Sequence, residues 1–148
     1  MPINKKNKTP LRYAGGKSKA IYKLEKCLPK DMDTIEEIHD CFLGGGSLPI
    51  YLTKLYPNKK IIVNDVYKPL YNFWIQLRDS GEELSEEILK IKKDNNTIEL
   101  AKSLFDLQKE KFKSNNNSSD FDKAVAFYIL NKCSFSGLIT ASFSKKAS

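Results

Sequence analysis

The sequence IEEIHDCFLGGGS, residues 35–47, decides how this chain is organised. A run of mixed apolar and polar residues leads into three consecutive glycines, and a helical pattern of apolar residues begins directly behind them. Glycine can take a positive φ and lets a ligand approach the main chain closely. The first turn of a helix presents N–H groups and a positive dipole end. The stretch therefore predicts a strand, a glycine turn and a helix that together form a ligand site.

A second apolar run, residues 61–63, leads to an acid, Asp65, which follows the glycines at about the twenty-residue distance found in nucleotide sites. In such sites the acid accepts hydrogen bonds from ribose hydroxyls. The full dinucleotide pattern is missing, because Pro49 stands where its third glycine would fall. These residues alone indicate a nucleotide-like cofactor, leave its identity open and disfavour a nicotinamide dehydrogenase.

Positive charge is concentrated at the start of the sequence. The net charge is +7 over 148 residues, and residues 1–30 contain nine Lys/Arg and a single acid, Glu25. A concentrated basic segment indicates a polyanionic partner, most simply nucleic acid. The alternative is a solubilising, partly disordered tail. Residues 1–9 in particular are predicted to form a basic arm.

Periodic apolar residues divide the remaining chain into an α/β part and a helical part. Residues 10–79 form the predicted cofactor-binding α/β part, and residues 80–148 form the predicted helical part. Pro57 ends the helix behind the glycine turn, and Asp120 is predicted to cap the last long helix. The predicted strands are 35–42 and 60–63, and the predicted helices are 21–28, 47–56, 68–78, 82–93, 97–113 and 121–130.

A second glycine-containing turn, Gly15-Gly16-Lys17, precedes the first predicted helix. Such a turn can present N–H groups and one ammonium to an anion. It is not a phosphate-binding P-loop, because the first glycine of that motif is missing at the required spacing. A purely structural turn is the alternative.

Several functional classes are excluded or disfavoured by composition. The three cysteines, Cys27, Cys41 and Cys133, form no Cys-x-x-Cys pair, and His39 is the only histidine, so no metal site is expected. Reduced thiols and the absence of an apolar signal segment favour an intracellular protein. No apolar run approaches the length that spans a bilayer. A soluble intracellular protein without a membrane partner is expected.

Three separated parts of the sequence carry a family resemblance. They are PLRYAGGKSK (10–19), DCFLGGGSLPIYL (40–52) with NDVYKPLYNFW (64–74), and DKAVAFYILNKCSFSGL (122–138). In this order they resemble the Dam-like (D12 class) adenine-N6 site-specific DNA methyltransferases, over essentially residues 10–140. The resemblance implies an α/β, Rossmann-like methyltransferase fold, here incomplete. It also implies that residues 80–148 are the start of a helical target-recognition region.

The resemblance implies S-adenosyl-L-methionine as the cofactor, and its contacts carry over residue by residue. Tyr13, which is Trp in many members, and Lys17 match positions that contact the cofactor. Asp65 matches the acid that accepts hydrogen bonds from the ribose hydroxyls. The residues that match the glycine turn around the methionine part are Phe42, Gly44, Gly46 and Ser47.

The same resemblance implies DNA as the partner. Phe135 falls where an aromatic side chain enters the DNA stack, although a plain core aromatic is the alternative. Ser136 and Thr140 fall where members often have Asn and Arg. Their short hydroxyl side chains cannot make the bidentate base contacts that Asn and Arg make. The usual GATC-type target is therefore not expected.

The main departure from the family is the catalytic motif. That motif is Asp-Pro-Pro-Tyr or a close variant, but none of the six prolines of this sequence is adjacent to another. No catalytic residue is therefore assigned. The predicted function is methyl transfer to adenine N6 in DNA, by a fragment or half that relies on a C-terminal half or parent chain. The alternative is a non-catalytic nucleic-acid-binding remnant of such an enzyme.

Overall fold

The structure is a computed structural model that describes residues 8–114 and 118–145. It divides between Val66 and Tyr67 into two compact parts, here called the N-terminal unit and the C-terminal unit. The predicted boundary between the cofactor-binding α/β part and the helical target-recognition region, at residues 79 and 80, stays a prediction. The predicted basic arm, apart from Lys8 and Thr9, lies outside the described residues.

The N-terminal unit contains a small parallel sheet. Strand β1 pairs in parallel with strand β2, with Glu37 opposite Lys60 and Asp40 opposite Val63. Because parallel strands need a crossover between them, a helix connects the two. The elements are 3-10 turns at Lys17–Lys19 and Met32–Thr34, helices α1 (Ile21–Glu25) and α2 (Ser47–Leu55), and strands β1 (Glu37–Asp40) and β2 (Lys60–Val63).

Apolar residues from both helices form the core of this unit. Ile21 of α1 packs with Tyr51 and Leu52 of α2, and each is at most 5% exposed. Ile38 of β1 and Ile61 of β2 pack against this cluster. The core therefore fixes α2 beside the sheet, with the helix beginning directly after the glycine turn.

The C-terminal unit is helical. Its elements are α3 (Lys68–Asp79), α4 (Gly81–Asp94), α5 (Ile98–Lys113) and α6 (Asp120–Cys133), followed by a 3-10 turn at Phe135–Gly137. Helix α6 is buried along most of its length and packs against the other three helices. Phe73 of α3 places its ring centroid 5.8 Å from that of Phe127 of α6. The apolar character of α6 on nearly all sides is the reason that it occupies the centre.

The N-terminal unit combines helices with a parallel pair of strands, and this confirms the α/β expectation for that part of the chain. Three details of the prediction were wrong. Strand β1 spans Glu37–Asp40 and not residues 35–42. Helix α1 ends at Glu25 and does not continue to residue 28. The cap of α6 is Ser119 and not Asp120, because the Ser119 hydroxyl accepts a hydrogen bond from the Asp122 N–H at 3.1 Å.

Within residues 8–114 and 118–145, no helix has the length and apolar character that crossing a membrane requires.

Candidate functional site

A cleft of about 350 Å³ lies in the N-terminal unit, where β1 and β2 end. Its volume falls in the range of small-molecule sites, roughly 300–1,000 Å³. We call it the glycine-turn cleft; its lining is Tyr13, Gly15, Gly16, Lys17, Phe42, Leu43, Gly44, Gly45, Ser47, Asp65 and Val66. Six of the seven predicted cofactor residues are therefore brought together here. The seventh, Gly46, is not part of the lining.

The glycine turn takes a backbone shape that few other residues could adopt. Gly44 has a φ of +52° and Gly46 a φ of +75°, both in the left-handed region. Gly46 is the residue before α2, and its N–H donates to the Leu43 carbonyl at 3.0 Å. Gly46 thus redirects the chain from the turn into the helix and does not line the cleft.

Tyr13 lies directly against this turn. A Cβ atom on Gly44 would stand 3.0 Å from Cε1 of Tyr13, and a Cβ atom on Gly45 would stand 2.8 Å from its Cβ. The glycines therefore make room for the tyrosine. Gly45 was not among the predicted site residues. Its position inside a run of three glycines was the available signal.

Lys17 and Asp40 connect the first turn of the chain to the end of β1. The Lys17 ammonium lies 3.2 Å from the Asp40 carboxylate and also donates to the Phe42 carbonyl. The Phe42 N–H donates to the same carboxylate at 3.0 Å. Asp40 is only 8% exposed, so its carboxylate meets these two donors and little water. Asp40 was missed in the sequence, although an acid at a strand end just before a glycine turn was a usable signal.

Replacing Asp40 by asparagine is expected to lower the free energy of unfolding by about 1–3 kcal/mol, because the Lys17 ammonium loses a charged acceptor. Urea denaturation of the purified chain measures this. The control is Glu37→Gln on the same strand as Asp40, which removes a carboxylate from an exposed pair with Lys60 of β2. Exposed pairs contribute little, so this variant should stay close to wild type. Equal losses in both variants would contradict a special role for Asp40.

Asp65, just after the end of β2, holds the glycine turn that follows β1. Its Oδ2 accepts a hydrogen bond from the Gly44 N–H at 2.9 Å, and the neighbouring Asn64 carbonyl accepts one from the Leu43 N–H at 2.9 Å. The chain after β2 is therefore fastened to the turn after β1. Asp65 has this structural contact in addition to the cofactor contact that the sequence predicts.

The pKa of the Tyr13 phenol is raised above its ordinary value by burial and, to a smaller extent, by the Asp65 carboxylate. The folded chain therefore keeps this proton to higher pH than the unfolded chain. Its contribution to stability is present below the ordinary tyrosine pKa of about 10 and is lost as pH rises through the raised pKa. We expect Asp65→Asn to lower the pKa of Tyr13.

Ultraviolet difference titration checks this expectation. Burial also raises the pKa of Tyr51 and Tyr128, so the Tyr13 signal must be isolated by subtracting the titration of a Tyr13→Phe variant. The prediction fails if the isolated pKa is the same with Asp65 and with asparagine at that position.

The C-terminal unit carries the predicted DNA residues on one loop, here called the 134–144 loop. Phe135 is 63% exposed, so the alternative of a core aromatic is wrong. Ser136 and Thr140 are exposed on the same loop. Ser136 has a φ of +57°, which is uncommon for a residue other than glycine. The loop thus presents an aromatic ring beside a strained backbone position.

Buried and main-chain hydrogen bonds hold this loop. The side-chain amide of Asn131, a residue 1% exposed on α6, donates to the Gly137 carbonyl at 2.9 Å. The Phe135 N–H donates to the Ser142 carbonyl at 2.9 Å, and the Ser144 N–H to the Cys133 carbonyl at 2.8 Å. The two ends of the loop are therefore joined, and its exposed middle is anchored to α6.

Comparison with known proteins gives the family. The family model of the D12 class N6 adenine-specific DNA methyltransferases matches residues 13–148. The chain belongs to this family. The Type II methyltransferase M.MjaIII of Methanocaldococcus jannaschii is 30% identical to it over 133 residues. That similarity covers 86% of this chain and 46% of the relative, so the D12-class chain spans less than half of that protein's length.

Membership in the D12 class confirms the resemblance drawn from the three sequence segments. It identifies the chain as part of a DNA methyltransferase family, with DNA adenine as the family's substrate. For this D12-class chain, the contacts of individual residues with cofactor or DNA are proposals.

Proposed function

We propose that the glycine-turn cleft binds S-adenosyl-L-methionine for methyl transfer to adenine N6 in DNA. The observation that carries this proposal is the convergence of six separately predicted residues on one cleft of about 350 Å³. A chance grouping is disfavoured, because Tyr13, Phe42 and Asp65 come from three distant parts of the sequence. The same convergence favours a Rossmann-like methyltransferase fold.

The residues of the cleft suit this cofactor. The Asp65 carboxylate provides acceptor oxygens suited to the two hydroxyls of a ribose. The cofactor has no pyrophosphate, so its binding does not need the third glycine of the dinucleotide pattern. When bound, the cofactor supplies a methyl group on a positively charged sulfur. The exposed faces of Tyr13 and Phe42 provide apolar and aromatic surface beside the glycines.

In this proposal Lys17 contacts the cofactor directly, and Asp40 supports the cofactor indirectly through Lys17. Its ammonium is held by the Asp40 carboxylate and by the Phe42 carbonyl. An ammonium has three donor hydrogens, and one of them can be shared between the two Asp40 oxygens, so a third hydrogen can meet a carboxylate of the ligand. Asp40 then orients Lys17, and Lys17 contacts the methionine part of the cofactor.

The 134–144 loop is the proposed DNA contact. An exposed aromatic ring such as that of Phe135 can stack against an unpaired base, a contact worth about 1–3 kcal/mol. Ser136 and Thr140 offer hydroxyl groups, which do not read a base in the bidentate manner of Asn and Arg. We therefore propose a target other than GATC.

The catalytic step requires a group that the sequence does not contain. The amine of a flipped adenine must be held by a side-chain oxygen and a main-chain carbonyl, with an aromatic ring beneath the base. We propose that a Pro-Pro-aromatic motif on a further polypeptide segment, a parent chain or a second polypeptide, provides these groups. DNA as the substrate implies that the chain works inside the cell.

Two measurements on the 148-residue chain test the proposal. Calorimetry with S-adenosylhomocysteine should detect binding, and a tritiated-methyl assay with adenine-containing DNA should detect no transfer. Robust transfer by the chain alone would contradict the need for a further segment. DNA binding without any binding of S-adenosylhomocysteine would favour the second candidate, a non-catalytic nucleic-acid-binding remnant, which the exposed Phe135 also supports.

A further inference from the structure

Lys109 is a lysine of α5 whose ammonium is directed at the 134–144 loop. Its Nζ donates to the Ala141 carbonyl at 2.9 Å and to the Thr140 carbonyl at 3.3 Å. The same ammonium lies 5.5 Å from the ring centroid of Phe105, a residue 1% exposed. Lys109 is therefore packed between the core of the C-terminal unit and the main chain of the loop.

The contacts of Lys109 complete a set of anchors around the loop. Phe143 forms a bridge to Ser134, and its ring centroid lies 5.7 Å from that of Phe105. Asn131 holds the opposite side through Gly137. Ser136 keeps its left-handed backbone within this frame, and strained backbone persists only where the surroundings over-determine it. Lys109 is the charged member of the frame.

We propose that Lys109 is a positioning residue that presents Phe135 to DNA by holding the Thr140 and Ala141 carbonyls. The proposal rests on the function proposed above for the loop. A lysine near a DNA-contacting loop is ordinarily assigned to a phosphate, but this ammonium is directed at two main-chain carbonyls. Its effect on DNA binding should therefore pass through Phe135 and not through charge neutralisation.

The two roles differ in salt dependence. A lysine that neutralises a phosphate changes the slope of log affinity against log salt by about 0.9 for duplex DNA. A positioning residue lowers affinity without changing that slope. We expect Lys109→Met to weaken binding of a short adenine-containing duplex with a randomised centre by about 3- to 10-fold, at unchanged slope. Lys109→Arg, which keeps charged donors, should restore most of the affinity.

Matched variants make the test specific. Lys102→Met removes the same charge from an exposed position on the same helix and serves as the control. In a Phe135→Ala background, Lys109→Met should weaken binding no further, because the two residues act on one contact. Hydrogen exchange should be faster within residues 134–144 of the Lys109→Met variant, while α6 remains protected.

The outcomes separate the two proposals. A changed salt slope, or an additive loss in the Phe135→Ala background, would overturn the positioning role of Lys109. Unchanged hydrogen exchange in the loop would also overturn it. If Phe135→Ala by itself leaves DNA binding intact, the proposed function of the loop fails. Hydrogen exchange then still decides whether Lys109 orders the loop.

Discussion

Replacing Gly45 by alanine is expected to weaken S-adenosylhomocysteine binding by tenfold or more and to lower the free energy of unfolding by about 1–3 kcal/mol. The new Cβ would stand 2.8 Å from the Cβ of Tyr13, a distance that non-bonded carbon atoms do not tolerate. Because the Tyr13 Cβ is fixed to its backbone, a rotation of the ring cannot relieve the clash. Either the turn or the Tyr13 segment must move, and both line the cleft. Calorimetry and urea denaturation measure the two effects.

Two glycine controls separate the clash from other consequences of adding a methyl group. Gly81→Ala, at the start of α4, meets only Leu77 at 3.9 Å and should be neutral or slightly stabilising. Gly15→Ala meets nothing within 4 Å but has a φ of +76°, so its effect on the free energy of unfolding reports left-handed strain without a clash. In a Tyr13→Gly background, Gly45→Ala should cost little stability. A full loss in that background would contradict the proposed clash.

The positions of the two strands and of α2–α6 could be predicted from local sequence. Lys60–Val63 was predicted with its observed bounds, since an apolar β-branched run follows the Pro57 stop signal. The bounds of α1 could not be read in this way. The apolar spacing from Ile21 to Leu28 continues past Glu25, where the helix ends. Periodicity identifies a buried face, but it does not by itself determine where a helix stops.

The candidate site was predictable where a residue belongs to a motif and hidden where its role depends on distant partners. Gly44 and Asp65 follow from the strand–turn–helix–strand order, and Phe42 was identified by resemblance. Asp40 and Gly45 also stand beside or within the motif, but their roles could not be read from it, since those roles arise from contacts with Lys17 and Tyr13, more than twenty residues earlier. No local pattern states which distant segment returns to the turn.

The same distinction applies to the C-terminal unit. Phe135 was identified by resemblance, but its exposure could not be read from the sequence, where a core position was equally compatible. The anchors of the loop were hidden for a different reason. Lys109 acts through main-chain carbonyls, which every residue possesses, so its partners leave no signature in the sequence.

Replacing Asp65 by alanine is expected to have the largest effect on cofactor affinity, a loss of about 10- to 100-fold for S-adenosylhomocysteine. The side chain combines two tasks, because one carboxylate oxygen accepts from the Gly44 N–H and the carboxylate is the proposed acceptor for the ribose hydroxyls. Alanine removes both acceptors. Asparagine keeps one oxygen for Gly44 but loses the charge, so Asp65→Asn should retain more stability than Asp65→Ala.

Measuring affinity and stability together separates these tasks. Asp33→Ala, which removes an exposed acid elsewhere in the N-terminal unit, is the control and should leave affinity unchanged. If Asp65→Asn unfolds at the wild-type urea concentration yet binds S-adenosylhomocysteine weakly, the carboxylate acts on the ligand. If Asp65→Asn binds as tightly as wild type, Asp65 serves the turn alone and the proposed ribose contact is wrong. We expect wild-type stability with weak binding for Asp65→Asn. The hydrogen bond from the Gly44 N–H needs only one neutral oxygen, which asparagine keeps. The two hydroxyl donors of a ribose need the remaining acceptor capacity of a carboxylate, which asparagine lacks.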